Sequence, residues 1–417
     1  MSAAAPPKRP PPRHAPLTAL AVVDGCLHIG GVPLPEVAKR AGGTPFYAYD
    51  GAAVADRVAL LRRHLPPSVG LHYAVKANPM PALIRRLAGL VDGFDVASRG
   101  ELERVLAARA TPADVTFTGP GKDDDELAAA IAAGVLINVE SEGELDRLAA
   151  RAKEQDAPVR VGLRINPDFE LKASGMHMGG GARQFGIDAE RVPEVLDVLA
   201  ATDLAFEGFH VFAGSQCLDA NALCETLERT TDLILRLAPL APAPVRRLNV
   251  GGGFGIPYFP GEARLDLEAV GDGFAVQAAR LAAALPDARV SVELGRYLVG
   301  EAGVYVTRVV DRKLSRGQVF LVTDGGLHQH LAASGNLGQV IRRNYPLAVG
   351  TRVDAPPSET VNVVGRLCTP IDLLGDRVAL PRAEVGDLIV IFQSGAYGFT
   401  ASPAGFLGHP PAQEILV

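Results

Sequence analysis

Cysteine is scarce in this chain. Four are present among 417 residues (Cys26, Cys217, Cys224 and Cys368), with no CxxC pair and no metal-ligand spacing. That pattern fits a reducing cytoplasm, in which a special cysteine is a reactive or packed thiol. A basic stripe is also missing: 41 Lys and Arg against 47 Asp and Glu give a formal charge of −6, with both signs interspersed, so nucleic acid is not the expected partner. No apolar run is long enough for a membrane span, and the Ala- and Pro-rich start lacks the apolar region of a signal peptide. It reads instead as a disordered tail over 1–24. There is no short-period repeat, no GK[ST] phosphate loop and no GxGxxG followed by a ribose-binding acid.

What is there exceeds one ordinary domain: 48% of the residues are hydrophobic, enough to bury two cores. From 51 to about 296, Ala/Leu-rich helical stretches such as 126–133, 142–153 and 191–200 alternate with short apolar runs. Those at 70–75, 93–96, 115–117, 135–138, 159–165, 206–211, 247–250 and 290–293 make eight strands, the count of a (β/α)8 barrel of TIM type within the α/β class. From 297 to 417 the texture changes to short β-branched strands with turns between them, a mostly β C-terminal domain. Residues 25–50 contain strand-like runs near 29 and at 46–49 that would contribute to it.

Several residue types stand where chemistry is done in such a barrel, at the C-terminal ends of strands. Lys76 closes an apolar strand, where desolvation could lower its pKa and free the amine for Schiff-base chemistry; a lysine snorkelling at a strand end is the commoner case. Gly251, Gly252 and Gly253 follow another strand and would let backbone N–H groups approach an anion, although most glycine clusters are tight turns. Glu293, ending the last strand, could hold a ring nitrogen protonated, with Arg296 free for a substrate anion; a structural ion pair explains the two equally well. His210 could stack on an aromatic cofactor and Ser215 reach its phosphate, against a plain structural histidine. Cys368 and Tyr397, in the β domain, read singly as core or turn, and the thiol is a candidate acid.

Six separated motifs in one order change the balance: YAVKAN at 73–78, FDVASRGEL at 94–102, HVFAGSQ at 210–216, GGGFG at 251–255, ELGR at 293–296, and the C-terminal CTPID and GAYG segments. Together they resemble the fold-type III pyridoxal-phosphate decarboxylases, the diaminopimelate and ornithine decarboxylase group with alanine racemase-like architecture, over nearly the whole chain. The resemblance implies that Lys76 carries pyridoxal 5'-phosphate as an internal aldimine and that His210 stacks on its ring. Glu293 would keep the ring nitrogen protonated, with Asp95 close to lysine and ring. Ser215, Gly252, Gly253, Gly295 and Arg296 would hold the phosphate, helped by Tyr397. It further implies a homodimer with shared sites, in which Cys368 and Tyr397 meet the barrel mouth of a partner chain and Cys368 is the acid that protonates the carbanion left by CO2. Arg296, Thr369 and Tyr397 would touch the substrate.

The chain departs from the pattern at three places. Thr369 stands where the family has an acid for the substrate's distal ammonium, and a buried ammonium without its partner costs several kcal/mol. The HxGSQ segment is two residues longer, and Gln184 replaces the lysine of the KFG segment. Around these differences the chain is similar to a subgroup that includes a decarboxylase of a carrier-protein-linked glutamyl group and proteins associated with exopolysaccharide export. The expected activity is therefore decarboxylation of an amino acid or aminoacyl conjugate, free or carrier-bound. Decarboxylation of diaminopimelate, ornithine or lysine proper, and a non-catalytic regulatory binding protein of the same fold, are the alternatives. A racemase is disfavoured, since those pair the ring nitrogen with arginine rather than a residue like Glu293.

Overall fold

The computed structural model describes residues 12–155 and 158–417. Eight parallel strands form the barrel: β1 (Val69–Ala74), β2 (Gly93–Val96), β3 (Val115–Phe117), β4 (Leu136–Val139), β5 (Arg160–Asn166), β6 (Ala205–Val211), β7 (Arg247–Gly252) and β8 (Arg289–Leu294). Each pairs with the next, β4 pairs β5, and β8 returns to β1 with Glu293 opposite His72, so the sheet closes on itself. The eight expected strands are thus the eight observed ones. They are short continuous apolar runs because both of their faces are covered, by the barrel interior and by the surrounding helices.

Those helices start where the sequence supplies caps. Asp50 accepts from the N–H groups of Ala52 and Ala53 at the head of Gly51–His64, and Asp123 and Glu126 form a reciprocal capping box on Asp124–Ala133, which Gly134 ends in the left-handed conformation. Among the described residues no helix is long and apolar enough to cross a membrane.

The second domain is built on an eight-stranded sheet whose long strand Gly303–Ser315 leaves the barrel directly. Phe46–Tyr49, from before the barrel, pairs antiparallel with its first half, and Gln413–Leu416 pairs parallel to Phe46–Tyr49 on the other side. Cys26–Ile29 does not enter this sheet. It is the middle strand of a small antiparallel sheet with Ala21–Val23 and Val32–Pro33, whose Leu27 and Ile29 pack on Val304, Val306 and Val390.

The tail expected over 1–24 is corrected here. Residues 1–11 lie outside the described residues, but Ala21–Val23 is a paired strand, Leu17 and Leu20 pack on the same apolar cluster, and Arg264 donates to the carbonyl of Pro16 at 2.9 Å. The cause is a hairpin: Asp24 and Gly25 both have positive φ, 49° and 77°, the conformation that an Asp-Gly turn favours.

Candidate active site

After β1 the chain makes a single 3-10 turn, Val75–Ala77, which lifts Lys76 over the barrel mouth. The turn is clamped to the β domain of the same chain: Tyr397 N–H donates to Ala77 O at 2.8 Å, and Asn78 Nδ2 donates to Gly395 O at 2.9 Å. From below, Tyr73 donates its hydroxyl to Asn78 O at 2.9 Å. Lys76 Nζ lies 3.7 Å from Glu293 Oε1 and 5.3 Å from the centre of the Phe212 ring. The expected lowering of its pKa does not survive. Burial pulls it down, but the charge of Glu293 outweighs burial and holds the amine above the ordinary lysine value.

Two buried carboxyl groups face that amine and divide their roles. Burial alone would raise Glu293, yet the charge of Lys76, with that of Arg164 farther off, outweighs it and holds the group well below the usual carboxylate range, so it is an anion. Asn249 Nδ2 donates to its Oε2 at 3.2 Å. Asp95, on β2, is pushed far above that range, first by burial and then by the charge of Glu293, so it keeps its proton; the hydroxyls of Thr116 and Thr118 donate to its Oδ2 at 2.8 and 2.6 Å. Two carboxyls in one dry site cannot both ionise cheaply.

His210, ending β6, is held below the ordinary histidine value by burial and is neutral. Its Nδ1 lies 3.4 Å from Asn138 Nδ2, a donor, which places the imidazole proton on Nε2. That Nε2 sits 3.4 Å from Glu293 Oε2 but outside hydrogen-bond geometry, leaving a buried polar atom without a partner.

The glycine loop lies next to these groups. Gly251 and Gly253 have φ of 75° and 77°, and a Cβ on Gly252 or Gly253 would stand 2.2 Å from Glu293 O or 2.4 Å from Gly214 O. Side chains are excluded by backbone contact, and the Gly251 N–H is taken by Asn249 Oδ1 at 2.9 Å. Ser215 belongs to a two-residue strand, Gly214–Ser215, and the following turn is locked onto the loop: Cys217 N–H donates to Gly253 O at 3.0 Å and Gly255 N–H to Cys217 O at 2.8 Å. Beyond β8, a Cβ on Gly295 would meet the Cβ of Ala77 at 2.8 Å, so the Lys76 turn and the Arg296 turn are in direct contact. The Arg296 guanidinium stacks between Tyr258 and Tyr397, 5.4 and 4.7 Å from their ring centres, and donates to Tyr258 Oη at 3.1 Å, while its Nε is buried without a partner.

This set fits pyridoxal 5'-phosphate: an amine, an anionic carboxylate for a ring N–H, an imidazole with an unpartnered nitrogen, and a backbone cradle beside an arginine with one donor to spare. Among the described residues no cluster of three or more His, Cys, Asp and Glu side chains could hold a metal.

Cys368 and Thr369 are not brought to this cluster. They lie on a β-domain loop where Cys368 is exposed and Thr369 half-exposed. Tyr397, expected beside Cys368 at a partner's barrel mouth, instead lies over its own chain's Lys76 turn and Arg296. The residue folds back through a positive φ of 52° that brings its N–H to Ala77. Sequence reasoning missed the residues that hold the functional ones: Asn249 behind Glu293, Thr116 and Thr118 behind Asp95, and Asn138 behind His210. It also missed Arg164, which binds both oxygens of Glu140 at 2.8 and 2.9 Å. The available signal was position, since these polar residues stand in or just after barrel strands that are otherwise apolar.

Residues 52–300 match the family model described as pyridoxal-dependent decarboxylase, pyridoxal binding domain. The chain is 38% identical over 380 residues, 89% of its length and 88% of the relative's, to an L-glutamyl-[BtrI acyl-carrier protein] decarboxylase of Niallia circulans. It is 32% identical over 382 residues, 88% of its length and 93% of the relative's, to a 2-[(L-alanin-3-ylcarbamoyl)methyl]-2-hydroxybutanedioate decarboxylase of Staphylococcus aureus. Among solved structures, a diaminopimelate decarboxylase of M. jannaschii superposes with a TM-score of 0.85 at 25% identity, covering 95% of this chain and 92% of that one.

Proposed function

The chain belongs to the pyridoxal-dependent decarboxylases of fold type III, and from that premise we propose that Lys76 carries the cofactor, that Cys368 of the partner subunit returns a proton to the substrate, and that the substrate is an α-amino acid with a conjugated distal end. The coarse activity, pyridoxal 5'-phosphate-dependent decarboxylation, follows from the family. The observation that carries the finer reading is the approach of Lys76 Nζ to within 3.7 Å of a buried, anionic Glu293 at the C-terminal ends of adjoining barrel strands.

When bound, pyridoxal phosphate supplies an electron sink for the pair left at Cα as CO2 departs. Glu293 would hold the proton on the ring nitrogen, and Asn249 fixes its carboxylate for that purpose. Asp95 is uncharged because it retains its proton, so it does not compete with Glu293 for the ring. His210, neutral and anchored by Asn138, would lie against the ring face. Backbone N–H groups of Gly252, Gly253 and Gly295, with Ser215, Arg296 and Tyr397, would bind the phosphate. The Cys368 thiol would then deliver a proton to Cα across a homodimer interface, which explains why it is exposed in the single chain. Its cysteines are unpaired, in keeping with a reducing cytoplasm.

The substrate class rests on Thr369, which offers a distal ammonium no charge, and on two similar proteins whose names describe conjugated amino acids: a carrier-bound glutamyl group and an amide-linked hydroxybutanedioate. A mass-spectrometric screen for CO2 loss tests it. Conjugates should turn over well and free diaminopimelate, ornithine and lysine poorly; efficient turnover of the free diamino acids alone would refute the reading.

A further inference from the structure

The loop that carries Cys368 is held rigidly from one side. Asp372 accepts the N–H groups of Leu327 at 2.6 Å and Leu367 at 2.9 Å, and its carbonyl accepts from Gly365 at 3.1 Å. Its carboxylate is spent on backbone donors. Leu367 is buried in the domain, while Arg366 and Cys368, on either side of it, are both exposed. Arg366 therefore emerges beside the candidate acid, and among the described residues it has no carboxylate partner.

Its one bond is unusual for an arginine. Nη2 lies 2.9 Å from Nδ1 of His409. A guanidinium cannot accept, so His409 accepts on Nδ1 and carries its proton on Nε2. Behind His409, at 5.4 Å between ring centres, stands His328, fully buried with neither ring nitrogen partnered. Three nitrogen-bearing side chains thus gather at the Cys368 loop, beside Asp372, whose carboxylate accepts two backbone N–H groups. An exposed guanidinium with its fork free on one edge is the side chain best shaped to bind a carboxylate through two parallel hydrogen bonds.

We propose that Arg366, braced by His409, is a specificity residue that receives an anionic carboxylate on the distal, acylated end of the substrate bound in the partner's barrel. This rests on the reading of the Cys368 loop as part of the partner's site. It adds the sign of the distal group: where the diamino-acid enzymes need an acid at the position of Thr369, this loop offers a cation two residues before the thiol.

The test uses one α-amino acid head acylated on its side-chain amine with either succinate, which leaves a free carboxylate, or butyrate, a neutral group of similar size. CO2 release by the holoenzyme is measured for wild type, Arg366→Gln and Arg366→Lys. Wild type should favour the succinyl conjugate in kcat/KM by at least about tenfold, the worth of one charge-assisted contact. Arg366→Gln should collapse that ratio to near unity, with Arg366→Lys between. A residue that merely braces the loop would slow both conjugates alike and leave the ratio standing, which would overturn the proposal. So would equal handling of the two by wild type, or turnover confined to a carrier-protein-bound substrate. If neither conjugate reacts and free diamino acids do, the conjugate reading itself fails, an outcome distinguishable from the first.

Discussion

Glu293 and Lys76 face each other across the seam where β8 and β1 close the barrel, with 3.7 Å between Nζ and Oε1. The pairing keeps an anion fixed beneath the amine and forces the proton of the carboxyl pair onto Asp95. One short distance thereby sets three protonation states.

The cofactor link is the first consequence. Borohydride reduction of the holoenzyme followed by peptide mapping should place the pyridoxyl group on Lys76. Lys122 is the instructive control, because it is more deeply buried yet bound to Glu144 at 2.6 Å and to the carbonyls of Asn138 and Gly119 at 2.8 and 2.9 Å, which leaves it no freedom to react. A label on Lys122 or Lys172 would sink the assignment.

Asp95 gives a pH-dependent signature. Its folded pKa is raised above the unfolded value of roughly 3.9, so its contribution is fully present below that value and is lost as pH rises through the folded pKa. Asp95→Asn keeps an oxygen for Thr116 and Thr118 and cannot ionise. The cofactor-free variant should match wild type in denaturant stability near pH 4 and exceed it by a margin that grows up to about pH 8 and then levels off, on the order of 1 kcal/mol or more. A constant difference across pH would show that Asp95 is not protonated in the folded protein.

Shared sites can be read by complementation. Lys76→Ala and Cys368→Ala proteins are each expected to be inactive, yet mixing them should restore about a quarter of wild-type activity if subunits exchange at random. Proven exchange without recovery would mean that Cys368 serves its own chain or none.

The proposed function gives Thr369 the choice against free diamino acids. Losing a charged partner in a buried site costs on the order of 2–5 kcal/mol, roughly 30-fold or more in kcat/KM. Thr369→Glu should shift preference toward ornithine and diaminopimelate by a comparable direction and scale; an unchanged substrate ratio would place the discrimination elsewhere.

The barrel was legible because its strands are apolar on both faces and separated by helices of ordinary length, and Lys76, His210 and Glu293 because they interrupt those strands at one end. Lateral relationships were not legible. The Asp95–Thr116 contact depends on parallel register, in which the two residues lie side by side on β2 and β3. The raised pKa of Lys76 depends on a carboxylate from the far end of the barrel sequence, and local apolarity pointed the other way. Tyr397 misled for a related reason, since its return to its own chain is made by a positive-φ turn that composition does not announce. The Asp24-Gly25 hairpin carried a clear signal but lay inside a stretch whose proline content suggested disorder.

The placement of Phe46–Tyr49 bears on the order of assembly. That strand is made before the barrel, yet it lies between Gly303–Ser315 and Gln413–Leu416, both made after it. During synthesis it must wait, unpaired, while some two hundred and fifty residues close into a barrel beside it, a long loop to close before its contacts are rewarded. The same late segment brings Gly395 and Tyr397 down onto the Lys76 turn. A ribosome-bound chain can therefore own a finished barrel without a finished catalytic mouth, and the lysine is clamped in place only once the end of the second domain has emerged.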